Sequence, residues 1–176
     1  MSFFQSQASG VPKPENASFQ AARTMGLPAL WQLPETAGVL SREATRAGKV
    51  AVGAEYLGAG RVSDEGVQAY ARGIQRCLQL WRLLEPSASP EMPESRVFAD
   101  DWLLAAATGI FRAGRKLGDN VVAGEELATI MGYRGEVLAR LVAPHEGVVL
   151  GLRSKAYITA GSWAVLLARE LSYRAL

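Results

Sequence analysis

Glu55 is an acidic side chain standing where an acid can do chemistry. It closes the short apolar run Lys49 to Glu55 (KVAVGAE) and is followed at once by Tyr56-Leu57-Gly58-Ala59-Gly60, a glycine-rich turn leading to Ser63 and a helical pattern. In open α/β sheets the ligand crevice lies beyond the carboxyl ends of the strands, so a carboxylate here is a candidate for proton transfer. Position alone leaves a plainer alternative open, in which Glu55 ends a strand in solvent or pairs with Arg61. The adjoining Gly58-x-Gly60-x-x-Ser63 is close to a dinucleotide fingerprint, whose glycines let a pyrophosphate approach a helix N-terminus. It lacks the third glycine, and Glu55, Asp64 and Glu65 would crowd negative charge around the phosphates. Nucleotide binding is therefore disfavoured.

Other chemistry-bearing residues are few. The sequence has one histidine, His145, which falls in a turn and reads as a solvated turn residue. Its one cysteine, Cys77, falls on a helix face and reads as packing; a single cysteine excludes an intramolecular disulfide. Tyr133 and Arg134 occupy an expected hairpin tip, where an arginine fork could meet a substrate carboxylate and a solvated tip is the plainer reading. Trp31, Trp81, Trp102 and Trp163 fall in expected strands or on an apolar helix face, which predicts core packing.

The elements that would hold these groups form two blocks. Before residue 85, helix and strand alternate. Asn16 is an N-cap for a short helix with Phe19, Ala22 and Met25 on one face and Gly26 as terminator. A strand over Ala29 to Leu33 is closed by Pro34. Leu40, Ala44 and Ala47 then recur at helical spacing up to Gly48, and Lys49 to Glu55 has the form of a buried parallel strand. Ser63 caps a long helix that carries Asp64 and Glu65 in its first turn and Val67, Tyr70, Ile74, Cys77, Leu78 and Trp81 as its apolar face. The order predicts a parallel α/β layer, and two strands with so small a core make that layer incomplete.

Glu85 to Ser95 (EPSASPEMPES) is rich in proline and serine and reads as a linker between residues 1–84 and 96–176. Beyond it, Gly109 to Met131 and Gly147 to Ala168 share a plan of glycine, apolar strand, turn and β-branched residue, then a glycine and a second apolar strand. Val121 and Gly124 of the first copy match Ile158 and Gly161 of the second. Such a repeat predicts two hairpin units packed with pseudo-twofold symmetry into a small β sandwich or barrel. Ala143-Pro144-His145-Glu146-Gly147-Val148-Val149 has the form A-P-x-x-G-x-V and resembles biotinyl and lipoyl carrier domains. The tip that would carry their modified lysine is Gly132-Tyr133-Arg134-Gly135 here, without a lysine, and Lys155 lies in the other half of the repeat. No lipoyl or biotin group is expected.

A wider resemblance rests on Arg23 to Pro28 (RTMGLP), Gly48 to Leu84, Asp119 to Val149, the E-x-x-G-x-G turn of Glu55 to Gly60, and the β repeat. Together these stretches resemble the C-terminal half of the succinylglutamate desuccinylase and aspartoacylase family. The resemblance implies a partial zinc-carboxypeptidase-like α/β layer followed by a β domain of the barrel-sandwich kind. It implies that Glu55 is the catalytic glutamate and that Gly58 and Gly60 form the active-site turn beside it. The chemistry implied is zinc-assisted hydrolysis of the amide in small N-acyl amino acids or related compounds, with Glu55 as base and then acid. Such a site needs two histidines and a carboxylate, and one histidine cannot supply it, so no metal ligand is assigned in this chain. The chain alone is expected to be inactive, as a fragment or split half complemented by an upstream polypeptide that carries the zinc ligands. The alternative is a non-catalytic interaction or oligomerisation module.

Composition narrows the partners. Basic and acidic side chains number 19 and 17 and are interspersed, so no basic stripe exists to follow a nucleic acid backbone. Met1 to Gly10 has neither a basic n-region nor an apolar h-region, and Trp102 to Phe111 is too short to span a bilayer, which predicts a cytoplasmic protein without a membrane partner. A homo-oligomer acting on a small-molecule N-acyl substrate, once complemented, is the expected assembly.

Overall fold

The computed structural model describes residues 2–5, 16–34, 36–86 and 94–171. Most of the expected linker (87–93) and part of Met1 to Gly10 lie outside the described residues. The fold is mixed α/β in two compact units. One comprises the described residues up to Phe98 together with Leu171, and the other is Ala99–Glu170.

In the first unit, α1 (Ala17–Thr24) starts where Asn16 Oδ1 accepts the Phe19 amide at 3.1 Å and stops before Gly26, at φ +67°. Capping of this kind satisfies an amide that the first helical turn leaves without a carbonyl. Phe19 and Ala22 are fully buried and pack with Leu30 and Val97; Met25 and Leu27 pack with Cys77. Strand β1 (Ser2–Gln5) runs parallel to β2 (Ala29–Leu33), and β3 (Val52–Ala54) runs antiparallel to β1, giving the order β3-β1-β2. The expected parallel layer is thus corrected in two respects. A third strand lies between the two that hydrophobic pattern revealed, and β3 is antiparallel and half-buried. An apolar run signals a strand but carries no direction, which connectivity and pairing decide. Between them, α2 (Leu40–Arg46) forms at the expected place but buries no residue, and Leu40 is 84% exposed.

Helix α3 (Asp64–Leu80) is capped by Ser63, whose Oγ accepts the Gly66 amide at 3.1 Å. Its buried face differs from the expected one: Gly66, Gly73 and Cys77 are buried, whereas Val67 and Ile74 are each 54% exposed and Trp81 is 44% exposed. At Gly73 and Cys77 the cause is close approach of α1. A Cβ at Gly73 would lie 2.9 Å from both the carbonyl oxygen and Cε of Met25, so only a residue without a side chain fits there.

The second unit is a sandwich of antiparallel strands. Strands β5 (Gly109–Ala113), β7 (Glu126–Met131), β8 (Val137–Val142) and β10 (Tyr157–Ile158) form one sheet in the order β10-β5-β7-β8. On the other, β6 (Asn120–Val121), β9 (Gly147–Leu152) and β11 (Trp163–Glu170) run in the order β11-β9-β6; the later residues of β4 (Arg96–Leu104) also belong to this unit. Phe111, Leu127 and Ile130 from one sheet meet Val121, Val149 and Val165 from the other in a single core. No closed barrel forms among the described residues.

The internal repeat is visible in the pairing. The short strand of each copy crosses to the first strand of the other, with Val121 opposite Gly147 and Ile158 opposite Gly109. Gly124 and Gly161, the matched glycines, take φ +87° and +78° and donate their amides to the matched carbonyls of Ala143 and Ala105. Left-handed backbone of this kind favours glycine.

Of the four tryptophans, Trp31 alone is buried, which corrects the packing expectation. Trp163 is 63% exposed and stacks on Trp102 with centroids 4.7 Å apart, each covering one face of its neighbour. No helix among the described residues is long and apolar enough to cross a membrane.

Candidate functional site

Glu55 follows directly on β3, exposed, at the mouth of a turn with unusual backbone. Leu57, Gly58, Ala59 and Gly60 all have positive φ, between +57° and +68°. Glycine adopts such angles freely, but Leu57 and Ala59 do so at a cost of order 1 kcal/mol or more each. Two short contacts close the turn, from the Gly58 amide to the Tyr56 carbonyl at 2.7 Å and from the Arg61 amide to the Gly58 carbonyl at 3.1 Å.

Tyr56 clamps this turn to α3. Its ring lies against Gly66, where an added Cβ would come within 2.7 Å of Cδ1, and meets Tyr70 edge-on with centroids 6.4 Å apart. Burial pushes the Tyr56 hydroxyl above its usual pKa, and the Glu65 carboxylate that accepts its hydrogen bond pushes it further. Tyr70 is raised as well, by burial first and then by the negative charge of Glu55. The structure therefore brings Glu55 and Tyr70 into one electrostatic neighbourhood, with both phenols held protonated at neutral pH.

Gly58 and Gly60 are in the turn where the sequence places them, and both open onto free space. Tyr133 and Arg134 belong to the second unit, at the tip between β7 and β8. Tyr133 is 82% exposed, and the Arg134 amide donates to Glu136 Oε2 at 3.1 Å. His145 is not the solvated turn residue expected from sequence. Its Nδ1 donates to the Glu146 carbonyl at 2.7 Å and its Nε2 lies 3.2 Å from Asp101 Oδ2, which ties the turn to β4. Tyr56 and Tyr70 are the residues of the candidate site that sequence reasoning missed: Tyr56 reads only as part of the turn, and Tyr70, an aromatic on a helical pattern, reads as core. The available signal was that Tyr70 stands four residues beyond Gly66 on the same helical face.

The donors of this chain do not fit a two-histidine zinc site. The sequence supplies one histidine, engaged as described, and one buried cysteine, whose Sγ reaches the Ala21 carbonyl. Among the described residues no group of three His, Cys, Asp or Glu side chains could hold a metal.

No family profile matches the sequence, and no curated protein matches it. The fold itself is that of the C-terminal part of succinylglutamate desuccinylase/aspartoacylase family proteins. Three solved structures carry that statement. The succinylglutamate desuccinylase/aspartoacylase from Rhodobacter sphaeroides superposes with a TM-score of 0.81 at 22% identity, covering 98% of this chain and 54% of its own. The product-bound ectoine utilization protein EutE from Ruegeria pomeroyi gives 0.81 at 19% identity, over 95% of this chain and 52% of that one. An aspartoacylase family protein from Mesorhizobium loti gives 0.71 at 20% identity, over 97% and 52%. The chain thus spans about half the length of the structures it matches.

Proposed function

We propose that the chain is the C-terminal part of a zinc-dependent deacylase that hydrolyses the amide of small N-acyl amino acids or related compounds. In this reading it is inactive until an upstream polypeptide supplies the zinc ligands that its own side chains cannot. The observation that carries the proposal is Glu55 at the end of β3, beside a strained left-handed turn pinned by Tyr56 to α3. Strained backbone concentrates where a side chain must be held for function. Glu55 takes the proton of the attacking water and returns it to the leaving amine, and Tyr70 beside it presents a neutral phenol. Arg134, with Tyr133, is assigned the substrate carboxylate, for which a guanidinium fork is well matched. In this reading unit two derives from a carrier-type domain and takes no lipoyl or biotin group.

The test is co-expression with an upstream polypeptide bearing two histidines and a carboxylate, followed by assay on N-acetyl and N-succinyl amino acids. Glu55→Gln is expected to lower kcat by at least about a hundredfold with KM little changed, the usual scale for removing a positioned acid-base group. A fully active Glu55→Gln complex would show that Glu55 is not the base. Arg134→Ala is expected to raise KM about tenfold or more, and an unchanged KM would remove it from the site.

A second reading, a non-catalytic interaction or oligomerisation module, is favoured by the exposed side chains of Val67 and Ile74 on α3 and of Trp81 at its C-terminal cap, spaced seven residues apart. It predicts assembly without any gain of hydrolysis on complementation.

A further inference from the structure

The outer face of the β10-β5-β7-β8 sheet carries a feature that the deacylase reading does not use. Arg112, Thr129 and Arg140 are directly opposite one another on adjacent strands, so their side chains share one face. That face is the outer one, because the neighbours Phe111, Ile130 and Leu141 point into the core. A second row in register, Tyr157, Ile110, Met131 and Val137, lies two residues along β5 and β7 and three along β8, where the pairing shifts between Ile130 and Met131. A row bearing two guanidinium groups thus runs beside an apolar row. A concavity of about 470 Å³ on this face is lined by Arg112, Gly114, Glu126, Thr129, Met131 and Arg140, among others. That volume falls within the roughly 300–1,000 Å³ of small-molecule sites.

The charges on this face are unevenly matched. Arg140 is paired with Glu126, and Arg115 with Glu125 at 3.4 Å. Arg112 is exposed, and its guanidinium has no ion pair or hydrogen bond among the described residues. We propose that this concavity binds a small organic anion with an apolar chain, its carboxylate or phosphate head on Arg112 and the Thr129 hydroxyl, its chain over Met131 and Val137. A guanidinium offers a planar pair of donors to either head, and the charge-assisted bonds are roughly twice as strong as neutral ones. The apolar row rewards a chain, since each CH₂ removed from water favours the bound state. The site is independent of the catalytic proposal, and neither fails with the other.

Titration of the full ¹⁵N-labelled chain with hexanoate and with hexyl phosphate, followed by amide shifts, tests this. Saturable shifts confined to β5, β7 and β8 are expected for at least one of them, with acetate and hexylammonium giving none. A preference for hexanoate assigns a carboxylate head, and the reverse preference a phosphate head. Arg112→Gln is expected to weaken binding about tenfold or more, the scale of one lost charged hydrogen bond, and Arg112→Lys to recover part of it. The proposal is overturned if neither anion saturates at millimolar concentration, if the shifts lie elsewhere, or if Arg112→Gln binds as well as the parent. Tighter binding of an acidic hexapeptide than of both anions would also overturn it, in favour of a protein partner.

Discussion

At Cys77 the thiol is buried between α3 and α1, and burial disfavours the thiolate, so its pKa is raised. The linkage has a definite sign. An acid whose folded pKa lies above its unfolded value stabilises the fold fully below the unfolded value, near the ordinary thiol pKa of about 8.5. That contribution is lost as pH rises past it, when the unfolded chain ionises first. The melting temperature is therefore expected to fall more steeply between neutral and strongly alkaline pH in the parent than in Cys77→Ala, once their common trend is subtracted. Parallel curves would mean that the thiol titrates alike in both states. The same burial predicts that Cys77 resists alkylation in the native chain and reacts on unfolding.

Among the elements, α3 decides the geometry of the candidate site, because it receives the turn after Glu55 at its N-terminus and packs on α1 through Gly73. Alanine at a helix interior is ordinarily better than glycine by about 1 kcal/mol. At Gly73 the sign reverses, since the new Cβ would meet the Met25 carbonyl, a backbone atom that cannot swing aside. Gly73→Ala is expected to destabilise by about 1–3 kcal/mol, the range for overpacking. Denaturant unfolding measures it, and a stabilised variant would show that α1 and α3 are less closely packed than described.

For the molecule as a whole, the paired repeat of the second unit makes a prediction that no single contact makes. A Cβ at Gly109 would lie 2.4 Å from the Met131 carbonyl oxygen, and one at the matched Gly147 would lie 2.6 Å from that of Ala168. Gly109→Ala and Gly147→Ala are each expected to cost about 1–3 kcal/mol, by the same backbone crowding. If the pseudo-twofold arrangement holds, the two losses agree within about 1 kcal/mol and the double variant is nearly additive, because the sites are separate. A large disagreement in thermal or chemical unfolding would show that the two halves are not energetically equivalent.

Much of this was legible in the residues because the signals are local. Asn16 and Ser63 cap helices through a side chain and an amide three positions on, and the positive-φ glycines at 26, 48, 124 and 161 mark ends and turns wherever the rest of the chain lies. The repeat and the place of Glu55 after a strand are local signals of the same kind. Other features depend on partners far along the chain. The direction of β3 was decided by pairing with β1, some fifty residues upstream, whose short segment carries no strong pattern. Helical spacing marks an apolar stripe through Val67, Ile74 and Trp81, yet α3 buries Gly66, Gly73 and Cys77 instead, because the Tyr56 ring lies against Gly66 and the end of α1 approaches too closely at Gly73 for a larger side chain. The neighbourhood of Glu55 and Tyr70 follows from that choice of face. The sequence by itself determined where elements begin and end, because those choices are settled by backbone sterics and nearby hydrogen bonds. Only the tertiary structure decided which faces are buried and which side chains meet, because burial is a property of what packs against a residue and not of the residue alone.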